Sequence, residues 1–592
     1  MKTRNMAAVD LGASSGRVLL VRFDGRVLSL EEMHRFPNRP VMVHGHRFWN
    51  ILSLWDDTLT GLRKAHQLAG TLDSIGVDTW GVDYGLVDTK GFLLGQPFQY
   101  RDHRTNGTLE QVFSRVPREV LYQRTGIQLL PFNTLFQLYA HQQLQPGELD
   151  HAYRMLLIPD LLHSWLCGAL TTERTNATTT QCWDPLVGTW ARDLLDQLEI
   201  PTSMLPPVVE AGTVLGEVLP EWRGELGATQ VVAPATHDTG SAIVAMPADS
   251  AGSWGYISSG TWSLVGVELQ QPVMTESALA ANFTNEGGVF GTTRFLKNVM
   301  GLWLLQECQR NWKRDGHTTD YDTLLAEVVA VRPFAALIDP DDPRFLAPQD
   351  MPAAINTFLV EHGQAPLSAP AAFARCIMES LVLRYCEVFQ QMKGLTGAPI
   401  KGVHVLGGGA RNALLNQWLA DALDVPVIAG PYEATALGNA LMQLVGLGEL
   451  HNLGEVRAIA RNEFTQLFSP RTAQLDEWRA AAQWFSAMIA MDQRSGNRFC
   501  SSEQTATVGS GALERRHRAL RSSRDHANQC SARLNAAGTG TNRVSALTRV
   551  VVFMRGRRVG NSGVSWRCPA VLRPCWDGCC ACGEARSVNY RS

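Results

Sequence analysis

The stretch "AAVDLGASSGRVLL", residues 7–20, sets an apolar run, a turn of small and hydroxyl residues, Arg17 and a second apolar run end to end. It reads as strand, tight turn, strand. The turn itself admits two readings. One is an ordinary hairpin. The other is an anion cradle, because a turn gathers backbone N–H groups into one concavity, Ser14 and Ser15 add hydroxyl donors, and Gly16 permits close approach of backbone. It is neither a Walker A loop nor a dinucleotide fingerprint, since the required glycines and lysine are missing. Asp10 is a hard oxygen donor that suits Mg²⁺ held through water beside a phosphate, and Arg17 would offset charge there.

The same form returns at "GYISSGTWSLVGVEL", residues 255–269. Two such hairpins predict a two-lobed protein with related lobes. Between them the spacing of Ile51, Leu54, Leu59, Leu62 and His66 predicts a helix over 49–69. A strand from Ile75 follows, then a Trp-Gly break and a hairpin turning at Asp88–Gly91. "TQVVAPATHDTGSAIVA" reads as a buried strand entering a helix through a polar turn. In the second half, "AAFARCIMESLVLRYCEVFQQM" is an amphipathic helix with Phe373, Ile377, Leu381, Tyr385, Val388 and Met392 on one face. "GVHVL", Gly407–Gly409, "ARNALLNQWLADAL", "VPVIAG" and "ATALGNALMQLVG" then alternate strand and helix, which predicts an α/β layer with parallel strands. The last helix, "LDEWRAAAQWFSAMIAM", is expected to end near 491.

A chain of 592 residues exceeds one hydrophobic core. With 45% hydrophobic and 18% charged residues it has the composition of a soluble globular protein. The sequence holds no apolar run of membrane-spanning length and no signal-type apolar segment before Asp10, so a cytoplasmic protein is expected. The net charge of -3 hides an asymmetry: residues 491–592 carry 17 Arg, no Lys and 6 Asp or Glu, a net +11 against −14 for residues 1–490. Seven of the 12 cysteines crowd that tail. Its short, unsustained patterns predict a disordered segment, the composition of a frameshift or read-through product. The cluster Cys568, Cys575, Cys579, Cys580 and Cys582 lacks a paired C-x₂-C framework for zinc, and the positive charge leaves nucleic-acid binding as a further alternative for the tail.

Four more segments carry chemistry or merely structure. In "THDTGSA", residues 236–242, Asp238 is a candidate proton acceptor at a helix N-terminus that suits phosphate, or else a helix cap. "LGGGARN", 406–412, and "SSGTWS", 258–263, are close-approach loops or plain loops. "DTWGVDYG", 78–85, pairs carboxylates with an aromatic that suits a sugar face, or Trp80 is core. "YRDHRTNG", 100–107, packs charge into a loop where a scaffold would not need it.

Taken in order, the two hairpins, the Asp turn and the Gly-rich strand-to-helix turn resemble the superfamily of sugar kinases, Hsp70 and actin. Within it, "THDTGSA" and the length of the body resemble the FGGY carbohydrate kinases. "VDLGASSGRV", "SIGVDTWGVDYGLVD", "YRDHRTNG", "QRTGIQLLPFNTLFQL", "TNATTTQ", "SSGTWSL", "LAANFTNEGG" and "LKNVMGLWLLQ" resemble the rhamnulokinases, from about residue 5 to 490. The resemblance implies an α/β fold of two ribonuclease-H-like lobes around a central ATP and sugar cleft. Residues 1–245 would hold sugar and ATP phosphate, 246–491 the adenosine, and 492–592 would form the tail. It implies ATP-dependent phosphorylation of L-rhamnulose at the 1-hydroxyl, with Mg²⁺, and no membrane or nucleic-acid partner for the body. The oligomeric state is left open, with a monomer among the possibilities. Residue by residue, it makes Asp238 the catalytic base. It gives Ala13, Ser14, Ser15, Gly16, Arg17, Thr261, Gln306 and Gly408 to ATP, and Gly81, His237, Asp238, Thr239 and Asn298 to the sugar. Asp10 goes to Mg²⁺. Relatives can carry a cysteine pair where this chain reads "QWLADALDVP", so no disulfide is expected there. The rivals are an FGGY kinase for xylulose, fuculose or glycerol, and a non-catalytic ATPase switch of the Hsp70 or actin type, for which no peptide-binding domain or filament surface is recognisable.

Overall fold

A computed structural model describes residues 2–248, 254–316 and 320–504, the side chains of 491–504 aside. The opening stretch forms two antiparallel strands, β1 (Arg4–Leu11) and β2 (Ser15–Phe23), registered from Arg4 opposite Phe23 to Leu11 opposite Gly16. β3 (Leu28–Pro37) adds to β2, and β4 (Ser74–Thr79) lies parallel to β1. β5 (Thr213–Glu217) and β6 (Gln230–Ala233) complete a sheet of order β5-β6-β4-β1-β2-β3. β1 and β4 are buried on both faces, which is why β1 carries the unbroken apolar run Met6–Val9 rather than an alternation.

The second half repeats this wiring. β7 (Trp254–Ser259), β8 (Trp262–Leu269), β9 (Thr284–Gly287), β10 (Thr293–Met300), β11 (Gly402–Leu406), β12 (Val427–Ala429) and β13 (Gln466–Phe468) form a sheet of order β9-β10-β8-β7-β11-β12-β13. In both sheets an antiparallel meander is extended by two parallel strands and closed by one antiparallel strand: β3-β2-β1-β4-β6-β5 matches β10-β8-β7-β11-β12-β13. That is the expected ribonuclease-H-like pair of α/β lobes. Only the second sheet carries an extra edge strand, β9, outside the shared pattern.

Seven helices frame the cleft or pack behind it: α1 (Ile51–Ala69), α2 (Asp238–Val244), α3 (Trp303–Arg314), α4 (Pro370–Thr396), α5 (Ala413–Leu423), α6 (Ala434–Gly446) and α7 (Leu475–Gln504). α1 buries Ile51, Leu54, Leu62 and Ala65 against the first sheet and ends at Gly70, φ 76°, whose N–H caps His66 O. α4 buries Phe373, Ile377, Leu381, Tyr385, Val388 and Met392 as its period predicts. It is covered on its other sides as well: Arg375 and Glu379 form a buried pair at 2.7 Å, so the one-sided amphipathic reading is too narrow.

One expectation is extended and another corrected. The turn at Asp88–Gly91 forms, with Gly91 N donating to Asp88 O (3.0 Å), Asp88 N to Phe92 O (2.9 Å) and Leu94 N to Leu86 O (2.8 Å), while the strand Tyr84–Val87 takes its regular ladder from Arg154–Leu157. α7 runs on to Gln504 rather than stopping near 491, so the first residues of the tail are helical. The rest of the tail, with its expected disorder and its cysteine cluster, lies outside the described residues. Among the described residues no helix is long and apolar enough to cross a membrane.

The two halves meet where α6, from the second, lies across α2 and against β1 and β4 of the first. The crossing is tight at Gly438, where an added Cβ would stand 1.8 Å from the Ser241 carbonyl oxygen. Backbone cannot yield as a flexible side chain does. Gly438→Ala is therefore expected to cost about 3 kcal/mol or more, the upper range for overpacking, read as a lowered midpoint in chemical denaturation. A midpoint equal to that of the unchanged protein would mean that the helices slide apart freely.

Candidate active site

The β1–β2 turn is tied down at both ends. Gly12 N donates to Ser15 O (3.0 Å), while Asn38 donates from N to Ser14 O (3.0 Å) and from Nδ2 to Gly12 O (3.0 Å). Ala13, Ser14 and Ser15 face a cleft of about 490 Å³, and so does the matching β7–β8 turn through Ser258, Gly260 and Thr261. Gly408 lines it from the loop after β11. Gly407 there has φ 80°, a glycine conformation, and Gly409 packs on Ser259, where a Cβ would stand 1.9 Å from Oγ. At Gly408 a Cβ would meet nothing, so that position is open toward the cleft.

Asp238 sits at the start of α2 and also lines the cleft. The capping position falls on His237, and no side chain caps the helix. Asp238 Oδ1 accepts from Thr239 N (2.6 Å) and lies 3.5 Å from His237 Nε2. Although the carboxylate keeps an exposed edge, burial raises its pKa above the ordinary value; His237 opposes the shift and the charge of Asp10 adds to it. The turn beneath is pinned by Glu173, whose buried Oε2 accepts from Thr236 N (2.9 Å) and Thr236 Oγ1 (3.1 Å).

Asp10 lines the cleft with Arg17, whose Nε (3.0 Å) and Nη2 (2.6 Å) donate to its Oδ2. Nη1 of Arg17 pairs with Glu433, just before α6, so the guanidinium spans both halves. Behind Asp10, Asp78 is fully buried; burial first, and then the charge of Asp10, hold its pKa well above the usual carboxylate range. Its Oδ2 accepts from Asn439 Nδ2 (2.6 Å), while its Oδ1 has no partner. Hard carboxylate oxygens crowded at the phosphate turn are a donor set that fits Mg²⁺.

On the far wall, Gly81, Val82, His237, Thr239 and Asn298 line the same cleft. Val82 takes φ 68°, a strained angle for a β-branched residue. It is held there by Thr134 Oγ1 donating to its carbonyl (2.6 Å) and by its own N–H donating to Thr179 Oγ1 (3.2 Å). Trp80 is both core and wall: its ring lies tilted against Trp49, centroids 4.2 Å apart, and it donates to Asp83 Oδ2 (3.0 Å). Burial lifts the Asp83 carboxyl to about 6 against the donors around it.

The cleft thus gathers Asp10, Ala13, Ser14, Ser15, Arg17, Gly81, His237, Asp238, Thr239, Thr261, Asn298 and Gly408. Two expected members do not line it. Gly16 is buried inside β2, where a Cβ would strike Phe36 at 2.4 Å, so its smallness serves packing. Gln306 lies on α3, its N–H bonded to Leu302 O (2.9 Å). Sequence reasoning missed Gln128, whose Oε1 accepts from Asn298 N (3.0 Å) and Nδ2 (3.1 Å), and the pair Thr284 and Glu286. "LAANFTNEGG" contained the latter two, but nothing in its spacing marked them.

The charged loop at 100–107 sends Tyr100 to the cleft wall, and its other residues brace the scaffold. Asp102 accepts from Arg47 N (2.7 Å) and caps the turn at Arg104 N (3.0 Å), and the Arg104 guanidinium lies 4.0 Å over Phe98. His46, Asp102 and His103 bring three donor atoms within 4.8 Å of one another. The two imidazoles stack 9° from parallel with centroids 4.8 Å apart, so their in-plane lone pairs run side by side and do not converge on one ion.

Comparison with known proteins agrees with this arrangement. The N-terminal domain model of the FGGY family of carbohydrate kinases matches residues 5–245 and the C-terminal domain model residues 255–447. A rhamnulokinase of Pectobacterium atrosepticum is 45% identical over 476 residues, 80% of this chain and 94% of that protein. One of Bacteroides thetaiotaomicron is 42% identical over 481 residues, 81% of this chain and 98% of that one. In fold the chain is similar to a gluconate kinase of Lactobacillus acidophilus, with a TM-score of 0.70 at 14% identity over 84% of this chain and 100% of that one. A xylulose kinase of the same organism gives 0.70 at 15% identity over 84% and 99%. Two matched domain models, and relatives that align from end to end of their own length, leave one conclusion: this chain belongs to the FGGY family of carbohydrate kinases.

Proposed function

We propose that the protein is the rhamnulokinase of L-rhamnose breakdown, moving the γ-phosphoryl group of ATP to the 1-hydroxyl of L-rhamnulose in the cytoplasm. One observation carries the reading. Two equivalent small-residue turns, one from each sheet, face the same cleft, and Asp238 stands in that cleft beside the sugar-side wall. Ala13, Ser14 and Ser15 on one side and Thr261 and Gly408 on the other suit the phosphates. Gly81, His237, Thr239 and Asn298 suit the sugar. Gly16 is withdrawn from the phosphate contacts and Gln306 from the cleft wall.

The chemistry rests on this layout. A sugar hydroxyl is a weak nucleophile, and Asp238 takes its proton as the new O–P bond forms. A raised pKa makes the carboxylate a better acceptor than an ordinary aspartate. Asp10 would hold Mg²⁺ through water, and the ion would supply charge neutralisation at the phosphates. Arg17 is an offset already engaged by Asp10 and Glu433, so its service to ATP is electrostatic rather than a free hand reaching for phosphate. Closure of the two halves excludes water, the competing acceptor.

The direct test is sugar-dependent ADP release with Mg·ATP over L-rhamnulose, L-fuculose, L-xylulose, D-xylulose and glycerol. The highest kcat/KM is expected for L-rhamnulose; a higher value for any other would move the substrate assignment, and no release with any would remove the kinase reading. Asp238→Asn is expected to lower kcat by about 10²–10⁴, the usual worth of a general base, in a protein that still binds ATP. Near-normal turnover would take Asp238 out of the mechanism. The pH profile carries a sign. Activity needs ionised Asp238, so the acid limb of kcat/KM lies above the ordinary aspartate value. An acid limb at or below the ordinary aspartate value would show that the raised Asp238 does not govern turnover.

A further inference from the structure

The second half's wall of the cleft carries a buried threonine hydroxyl without a hydrogen-bond partner and a buried carboxylate held by ion pairs rather than by aligned hydrogen bonds. Thr284 and Glu286 lie two apart on β9, so their side chains share one face of the sheet. Both residues are buried, at 0% and 4% exposure, and both line the cleft. Neither Thr284 Oγ1 nor Glu286 Oε2 has a hydrogen-bond partner.

Glu286 is held in place by charge. Its Oε2 lies 3.2 Å from Arg294 Nη2 on the facing residue of β10 and 3.2 Å from His237 Nδ1. Arg294 is itself fully buried, donating from Nε to Gly287 O (2.9 Å) and from Nη2 to His237 Nδ1 (3.1 Å). Burial acts to raise the Glu286 pKa, but Arg294 and His237 outweigh it and keep the carboxyl below its ordinary range, so the group is an anion. A charge-paired carboxylate in the cleft wall with no aligned hydrogen bond on Oε2 keeps acceptor capacity that a ligand hydroxyl can use.

A phosphate would be repelled there, whereas a hydroxyl donates. Asn298, on the neighbouring strand β10, and His237 flank the same wall. Resting on the ketose-kinase reading, we propose that Glu286, with Thr284 beside it, binds a sugar hydroxyl other than the one phosphorylated and is a specificity-determining residue of the enzyme. Glu286 reaches the sugar from the second half while Gly81, His237 and Thr239 reach it from the first, so the ketose is gripped by both. A ketose with that hydroxyl absent or inverted would leave the carboxylate unpaired, which is the kind of error a polar site rejects strongly.

The test is steady-state kinetics with L-rhamnulose and its C4 epimer L-fuculose on the full chain, paired with calorimetric titration of the ketose without nucleotide. Glu286→Gln keeps the shape but weakens the acceptor. We expect the KM and the calorimetric Kd for L-rhamnulose to rise about 10–100-fold, the worth of a hydrogen bond to a charged group. The KM for ATP should stay within about 2-fold and kcat within about 3-fold, and discrimination between the epimers should fall. A change in kcat and ATP KM as large as that in ketose KM marks a merely structural role and overturns the proposal, as does an unchanged ketose KM. If Glu286→Gln does not fold, Thr284→Val decides: it replaces a buried hydroxyl by a methyl group, and a ketose KM unchanged in it overturns the proposal. Should the wild type prefer another ketose, the same comparison is made with that ketose and its epimer. The substrate reading then fails on the wild-type data alone, and Glu286 stands or falls on the variant.

Discussion

One buried amide ties the molecule together. Asn439 of α6 donates from Nδ2 to Asp78 Oδ2 at 2.6 Å and to Gly76 O at 3.2 Å, and its Oδ1 accepts from Gln443 Nε2 at 2.7 Å. Gln443 Nε2 also donates to Ala7 O (3.1 Å), and its Oε1 accepts from Ser74 Oγ (2.7 Å). Two side chains of the second half thus satisfy backbone and side-chain groups of the two central strands of the first. Apolar residues would have left Asp78 and those carbonyls desolvated and unpaired, so the amides do more than fill space. The same contact supports the carboxylate behind Asp10. Docking of the halves and construction of the phosphate end of the cleft are one event.

The charge at that end shows why such support is needed. Asp10, Asp78 and Asp238 act on one another through low dielectric, and each of the last two is pushed toward its neutral form. Arg17 answers part of this from β2, pairing with Asp10 and, across the cleft, with Glu433. Glu433 also meets Arg411 at 3.1 Å, from the loop that bears Gly408. The cationic side chains at the mouth are thus already paired, and what remains unmet is negative. Negative charge that lacks a counterion is a liability in a folded protein, and under the proposed function it becomes an asset by drawing Mg²⁺ in with the nucleotide.

How much of this was readable in the sequence depends on the range of the interaction. The strand-turn-strand units at 7–20 and 255–269 are local: apolar runs and small-residue turns fix them within a few residues, and both appear as read. Asp238 was visible for the same reason, since a carboxylate at a strand-to-helix turn stands out. Partners distant in sequence were not. Val87 finds its strand partner at Arg154, the amides of Asn439 and Gln443 meet carbonyls more than 360 residues away, and Arg17 meets Glu433. The smallness of Gly16 makes room for the Phe36 ring, a packing need that one dimension hides. In the charged loop at 100–107, Asp102 caps and Arg101 and Arg104 lie over aromatic rings, uses equally hidden in the sequence.

The doubled topology accounts for what the two halves share, and its one asymmetry accounts for what differs. Equivalent hairpins bring equivalent small-residue turns to the cleft, as a repeated unit must. A sugar, however, has no two-fold relation to the nucleotide, and recognising it requires something that only one half possesses. In the first half that is the strained backbone at Val82 and the Asp238 turn pinned by Glu173. In the second it is β9, the strand with no counterpart in the first sheet, whose residues reach across to the first half: Asn285 Nδ2 donates to Gly126 O (3.0 Å) and Gly287 N to Thr178 Oγ1 (2.8 Å). Those bonds fix the strand's position against the sugar-side wall before any ligand arrives. A wall anchored from both halves can hold a charged side chain still, and a hydroxyl group can be told from its epimer only by a partner that does not move to meet it.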